Sequence, residues 1–263
     1  MTTSTSTSLR HKGKQIGKSL AAFVFWMLVW QLASALVGRF VPIGAELILP
    51  GPLPVARTLA DLAQTAAFWR TAGGTLLRIF CGFAAGVVLG TLLAALTVRS
   101  RIADTLLSPL IRTVRATPVA SFIILALLWI GKVRVPAFIS MLMVIPVLWS
   151  GVAAAIRNVD PGLTEMARTY GFGRGRTLRL VYVPAVFPHW NAACVTALGL
   201  AWKSGVAAEV LCAPRLAIGT ELYYSKIYLE TPALFAWTAV VIVLSFILEK
   251  GFEALMGRWV RTR

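Results

Sequence analysis

Six stretches of mostly apolar residues, separated by short polar segments, run through the chain. They cover residues 19–37, 74–98, 117–130, 135–155, 185–211 and 233–248. A helix rises about 1.5 Å per residue, so about 20 apolar residues cross a hydrocarbon core of roughly 30 Å. The third stretch is short for this unless it is tilted or extends upstream. The pattern predicts an all-α integral membrane protein with six transmembrane helices.

The remaining segments are short and suggest one membrane domain rather than separate soluble domains. Residues 1–18 are polar and basic, and we expect a disordered tail there. Residues 19–42 hold the first transmembrane helix, residues 43–255 form a core domain with five more, and residues 256–263 form a second basic tail. Between the first two spans, a proline-rich entry precedes an amphipathic surface helix, with one face formed by Val55, Leu59, Leu62 and Ala66.

Charge follows the same pattern and indicates the orientation. The 263-residue chain is 58% hydrophobic and 14% charged, with a formal net charge of +16. If the amino terminus is cytoplasmic, 17 of the 26 Lys and Arg residues lie in inside segments, seven lie outside and two lie within spans. This bias predicts that both termini are cytoplasmic. The basic residues flank spans without forming an aromatic-rich basic face, so they favour contact with membrane lipid over nucleic-acid binding.

A charged segment, residues 161–184, separates the fourth and fifth spans. Asp160 and Pro161 are typical of a helix start, and the spacing of Leu163, Met166 and Tyr170 predicts a short amphipathic helix that ends at a glycine. The sequence GFGRG then predicts a turn, and RTLRLVYVP predicts a second helical piece. On composition alone, this segment is equally typical of a solvated surface loop.

The spacing within this segment resembles the cytoplasmic EAA loop of permease subunits of bacterial ATP-binding-cassette importers. The loop pattern in that family is Glu-Ala-Ala, three residues, Gly, nine residues, Ile, one residue, Leu-Pro. Here Glu165, Ala167, Gly171 and Pro184 match, Met166 replaces the first alanine, and valines stand at both aliphatic positions.

The resemblance extends over roughly residues 48–250 and favours the nitrate, sulfonate and taurine branch. The segments TLLRIFCGFAAGVVLG, ATPVASFIILALLWIGKV and GLAWKSGVAAEVL are similar to the family's core helices. One difference is that Ile123 or Ile124 stands where the family has a second proline, so a kink expected there is in question.

The resemblance implies a type I importer permease fold with a cytoplasmic coupling helix, in the bacterial inner membrane. It implies three partners: an ATPase dimer that binds ATP and Mg, an extracytoplasmic solute-binding protein, and a second permease copy, with a homodimer as the simpler arrangement. This chain would bind no cofactor itself, and its substrate would be a small, anionic or organic solute. The residues it assigns to ATPase coupling are Glu165, Met166, Ala167, Arg168, Tyr170, Gly171, Arg174 and Pro184.

Catalytic motifs are weak, and we predict no catalytic residue and no metal site. GKQIGKS, at residues 13–19, has the wrong glycine spacing for a phosphate-binding loop and leads directly into the first span. GFGRG lacks the spacing and context of a dinucleotide site. The serine beside Lys203 has no supporting element for a hydrolase. His189 is typical of a membrane interface, and the three cysteines, which lack CxxC spacing, are typical of packing positions.

Ionisable residues within spans are better functional candidates, since burying a charge in a membrane is costly. Arg78, Lys203 and Glu209 are the three. We expect Arg78 to snorkel to the outer interface. Trp202, Lys203 and Glu209 are candidates for the solute pathway, although Glu209 could instead pair with a neighbouring helix. An ion-coupled secondary transporter using Lys203 and Glu209 is the alternative function.

Three glycines, Gly82, Gly86 and Gly90, recur every four residues on one face of the second span. This spacing permits close helix packing. Whether the contact lies within the chain or between two copies is left open by the sequence.

Overall fold

A computed structural model describes residues 4–41 and 44–261, and all regular structure in these ranges is helical. The helices are α1 Ser4–Phe40, α2 Ala45–Ile48, α3 Pro52–Ala63, α4 Ala66–Arg99, α5 Arg101–Ala116, α6 Val119–Trp129, α7 Val135–Arg157, α8 Pro161–Thr169, α9 Arg174–Thr177, α10 Val183–Cys212, α11 Ile218–Ile227 and α12 Thr231–Arg261. A π-helical turn, Leu178–Tyr182, joins α9 to α10.

Five helical segments of the described chain are long and apolar enough to cross a membrane. They are Ala21–Phe40, Ala66–Arg99, Val135–Arg157, Arg174–Cys212 and Thr231–Gly257. The pair α5 and α6 makes a sixth candidate, but its two helices meet at a bend of 108°. The third predicted span is therefore short, as its length suggested, and its upstream extension turns away instead of prolonging it.

The bend between α5 and α6 is at Thr117 and Pro118. Proline disfavours helical conformation in the residue before it, and Thr117 is accordingly extended with ψ of 136°. Helix α6 then runs through Ile123 and Ile124 without interruption. The kink that we left in question at those positions is absent, because neither residue removes a backbone donor.

The chain divides into two compact units, and the first contains the described residues up to Thr65 together with Tyr224–Thr238. The Trp30 indole donates to the Pro50 carbonyl at 3.0 Å and its ring stacks on Phe235 at 5.8 Å. Thr231 donates to the Leu47 carbonyl at 2.8 Å. No residue of Ala21–Phe40 is buried, so most of the apolar surface of this segment is exposed.

Two predictions for this first unit are wrong in part. The structure continues α1 back to Ser4, so residues 4–18 are helical where we expected a disordered tail, and residues 1–3 lie outside the described residues. A helix formed by the apolar span can extend upstream, since each added residue gains one hydrogen bond. Ala66 does not belong to the surface helix α3, which ends at Ala63.

The second unit contains Ala66–Tyr223 and the residues from Ala239 onward, and its core is formed by α4, α7 and α10. The glycine face of α4 lies on α7, where a Cβ at Gly86 would be 2.6 Å from the Val144 Cβ and one at Gly90 would be 2.7 Å from the Leu148 Cβ. A Cβ at Gly82 would meet the Ala137 carbonyl. These three glycines therefore pack within the chain.

The third helix of this core, α10, is held by a small residue and a hydroxyl. A Cβ at Gly205 would be 2.5 Å from the Ser140 Oγ and 2.6 Å from Ile79. The Ser140 hydroxyl donates to the Ala201 carbonyl at 3.0 Å. Close packing and this buried hydrogen bond fix which face of α10 lies inside the unit.

Candidate functional site

Residues 161–184, from α8 through α9 and the π-helical turn to the start of α10, form the first candidate site. We call them the coupling segment after the role predicted for them. Asp160 caps α8, because its carboxylate accepts a hydrogen bond from the Gly162 N–H at 2.8 Å. Pro161 occupies the first turn, where its missing N–H has no cost. The predicted helix start at Asp160 and Pro161 is confirmed.

The end of α8 is a Schellman motif, which explains the glycine in the pattern. The Phe172 N–H donates to the Ala167 carbonyl at 2.8 Å, and the Gly171 N–H donates to the Arg168 carbonyl at 3.0 Å. This geometry requires a left-handed residue at Gly171, whose φ is +67°. A Cβ at Gly171 would meet nothing within 4 Å, so the requirement comes from backbone conformation and not from a steric neighbour.

Side chains of α8 divide into one buried residue and an exposed apolar face. Ala167 is buried, whereas Leu163, Met166 and Tyr170 are 40%, 42% and 73% exposed. Glu165 and Arg168 are also exposed. Large apolar side chains at the surface of a short helix are typical of an interaction surface.

The coupling segment continues into α10 without a break in the helix. The run from Arg174 to Cys212 passes through the π turn, in which the Val183 N–H donates to the Leu178 carbonyl. Pro184, just after the π turn, lacks the N–H group that a regular helix would use there, and Pro188 is a second proline inside α10. The guanidinium of Arg176 lies 4.8 Å from the Phe172 ring centre, which ties the turn to the start of this run.

A second candidate site is a buried carboxylate, Glu209 on α10. Its Oε1 accepts hydrogen bonds from Arg78 Nε at 3.0 Å and Arg78 Nη2 at 2.8 Å, and its Oε2 accepts from Thr75 Oγ1 at 2.8 Å and the Gly219 N–H at 3.2 Å. The side chain of Glu209 is fully buried and that of Arg78 is 16% exposed. The prediction that Arg78 snorkels away is wrong, because a carboxylate in the adjacent helix offers it a partner.

The same cluster fixes the turn that follows α10. Arg78 Nη2 donates to the Leu216 carbonyl at 2.6 Å, and the Thr75 hydroxyl accepts from the Ile218 N–H at 2.9 Å. Ala213 and Leu216 have φ of 44° and 52°, which are left-handed values that non-glycine residues rarely adopt. The buried pair thus holds a strained turn against α4. Sequence reasoning missed this turn, since no glycine marks it.

The three predicted pathway residues lie in different environments. Trp202 is 1% exposed and its indole donates to the Val241 carbonyl at 3.1 Å. Glu209 is also buried, so neither side chain reaches the surface of the described chain. Lys203 is exposed and takes part in neither ion pair of the described residues, which are Arg78–Glu209 and Arg157–Asp104. A pathway role stays a prediction for all three residues.

Comparison with known proteins identifies the family. The model of the binding-protein-dependent transport system inner membrane component family matches residues 86–260. The chain belongs to this family. It is 26% identical over 252 residues to the taurine transport system permease protein TauC of Escherichia coli (strain K12), covering 93% of this chain and 89% of that protein.

Further relatives agree with the nitrate, sulfonate and taurine branch of this permease family. The bicarbonate transport system permease protein CmpB of Synechococcus elongatus is 24% identical over 259 residues, covering 92% of this chain and 88% of that protein. The crystal structure of an amino acid ABC transporter with histidines matches with a TM-score of 0.54 and 20% identity, covering 74% of this chain and 94% of that chain. At this identity the structural match supports the fold alone. The family member described here is thus a multi-pass membrane permease of the ABC transporter class.

Proposed function

We propose that this permease forms half of the solute pathway of an ATP-driven importer and that the coupling segment binds a separate ATPase subunit. The observation that carries the proposal is α8 itself, a helix capped at both ends that presents Met166 and Tyr170 to solvent. Side chains of this size commonly dominate the binding energy of an interface once a partner buries them. The exposed charges of Glu165, Arg168 and Arg174 would surround them as a polar rim.

Motion of the ATPase would reach the membrane through a continuous helix. Ala167 packs inward at the base of α8, and Arg174–Cys212 runs from the coupling segment through Pro184 to the far end of α10. A rigid helical element transmits displacement better than a loop. We therefore propose that the ATPase, by pulling on α8, moves α10, which packs on α7 and α4.

The complete transporter would contain two permease copies, an ATPase dimer that binds ATP and Mg, and an extracytoplasmic solute-binding protein. In this arrangement α5 and α6 count as one of six spans, and both termini and residues 157–184 face the cytoplasm. The relatives' names, which refer to taurine and bicarbonate, favour a small anionic or organic solute. ATP hydrolysis would belong to the partner subunit.

Copurification of an ATPase tests the proposal. Tyr170→Ala and Glu165→Lys should each weaken retention of the ATPase on the affinity-tagged permease, and Tyr170→Ala should lose at least tenfold if it is an anchor worth about 2 kcal/mol. Glu165→Lys should lose less, because an exposed charge contributes about 0–1 kcal/mol. Thr169→Ala, on the same helix, removes only a hydroxyl bonded to the Glu165 carbonyl and is the matched control. Retention unaffected by Tyr170→Ala and Glu165→Lys would contradict binding through α8.

A further inference from the structure

One face of α10 is exposed, and it carries polar side chains at regular intervals although the helix spans the membrane. The buried face includes Ala201 and Glu209. The exposed face, which we call the α10 polar face, contains His189, Ala192, Thr196, Leu200 and Lys203. His189, Thr196 and Lys203 are each seven residues apart, so they lie in line along two-turn intervals of about 10 Å.

These polar groups do not suit contact with lipid. The Thr196 hydroxyl donates to the Ala192 carbonyl at 3.1 Å, but Lys203 has no carboxylate partner among the described residues. An ammonium group facing hydrocarbon is strongly unfavourable, so intramembrane lysines usually face protein or a water-filled cavity. The residues packed against the buried face of α10 cannot surround the Lys203 ammonium group, because the polar face is on the opposite side of the helix.

A carboxylate of α12 provides a second, independent observation at the same place. The Oε1 atom of Glu249 would be 2.9 Å from a Cβ at Gly199, one helical turn before Lys203. Glu249 lies within the span Thr231–Gly257 and is only half-buried. Among the described residues it accepts one long hydrogen bond of 3.5 Å, from Ser245. A carboxylate with so weak a partner needs water or a cation to stabilise its charge.

We propose that the α10 polar face and Glu249 line the aqueous solute pathway, and that Lys203 and Glu249 set its charge selectivity with opposite sign. Lys203 attracts the acidic group of a passing solute, whereas Glu249 limits how strongly an anion is held at mid-span. The inference deepens the proposed function, on which it rests for the existence of a pathway. It does not depend on which ATPase or solute-binding protein is the partner.

Thiol labelling tests this inference without knowledge of the solute. Thr196→Cys is placed in a chain whose native thiols are removed by Cys81→Ser, Cys194→Ala and Cys212→Ala, assembled with its ATPase in membranes. The probes are two methanethiosulfonate reagents of similar size, one anionic and one cationic. We expect both to react at Thr196→Cys, whereas Leu77→Cys, on the exposed apolar face of α4, should react with neither.

The ratio of the anionic to the cationic labelling rate measures the charge selectivity. A unit charge about 10 Å away changes this ratio by roughly threefold to tenfold. Lys203→Gln should therefore lower the ratio, Lys203→Arg should preserve it, and Glu249→Gln should raise it. A purely structural role of either residue would change both rates together and leave the ratio unchanged.

Three outcomes would overturn the inference, and each has a different meaning. Labelling at Thr196→Cys by a lipid-soluble maleimide alone would place this face against lipid. Disulfide formation between two copies at Thr196→Cys, without reaction with either charged reagent, would make it a dimer interface. A ratio unaffected by Lys203→Gln and Glu249→Gln would remove both from charge selection. Absence of ATPase copurification with the unsubstituted permease would instead count against the proposed function, because the labelling ratio is measured on the permease itself.

Discussion

At the scale of single residues, the four hydrogen bonds to the Glu209 carboxylate explain how a charge is kept inside a membrane helix. Two come from Arg78, whose positive charge offsets the cost of removing the carboxylate from water. Thr75 and the Gly219 N–H satisfy the other oxygen. The pair also fixes the strained turn at Ala213 and Leu216, so its effect extends beyond local neutralisation.

The two members of this pair should differ in their tolerance to substitution. Arg78→Met should destabilise the permease by about 3–5 kcal/mol, because it leaves an uncompensated buried carboxylate. Glu209→Gln should cost less, since an amide can still accept from Thr75 and the remaining Arg78 charge is partly exposed. Thermal unfolding of the detergent-purified protein measures this order. A larger loss for Glu209→Gln would contradict the assignment of Arg78 as the compensating charge.

At the scale of helices, local chemistry predicted the coupling segment well and long-range contacts poorly. The cap at Asp160 and the turn at Gly171 depend on bonds between neighbours, so a short stretch of sequence contains the information. Arg78 and Glu209 are 131 residues apart, and nothing in either neighbourhood indicates the other. The bend before α6 could be predicted in kind from Pro118, but its 108° angle depends on packing against α7 and α10.

The glycine face of α4 gives a prediction at this scale. Gly86→Ala should destabilise the permease by about 1–3 kcal/mol, because the new methyl group would be 2.6 Å from Val144 on α7. Gly73→Ala on the same helix is the matched control, since a Cβ there meets nothing within 4 Å and alanine favours helix. Relative to the parent, Gly86→Ala should lower the unfolding temperature and Gly73→Ala should raise it. Equal temperatures would show that α4 and α7 separate easily.

At the scale of the whole molecule, the sequence identifies a membrane protein from the length of its apolar segments. It indicates the orientation only through the placement of its basic residues. Apolar length identifies the spans, because the bilayer imposes a minimum number of residues. The orientation depends on where Lys and Arg are placed along the chain. An ATPase, a solute and a second copy each supply half of their contact with this chain. The sequence of one chain therefore does not determine which of its surfaces they bind.

Orientation can be tested directly by labelling single cysteines in a chain without native thiols. Arg174→Cys should react with a membrane-impermeant maleimide in inverted vesicles and not in intact spheroplasts. Arg215→Cys, in the turn after α10, should show the opposite preference and is the matched control, since both positions are exposed. Labelling of Arg174→Cys from outside the spheroplast would reverse the proposed orientation.

The central claim, that an ATPase drives this permease through α8, is tested most directly by one glycine. Gly171→Val places a β-branched residue at φ of +67°, which costs about 1–3 kcal/mol and should shift the end of α8. Gly173→Val is the control, because Gly173 has φ of −65° and open space around it. The measurement is ATP-driven solute uptake by the permease reconstituted with its ATPase and solute-binding protein. We expect Gly171→Val to lower uptake about fivefold to a hundredfold while lowering the unfolding temperature by only a few degrees, and we expect Gly173→Val to transport normally. Uptake that persists in Gly171→Val, follows an ion gradient and needs no ATPase would contradict the central claim.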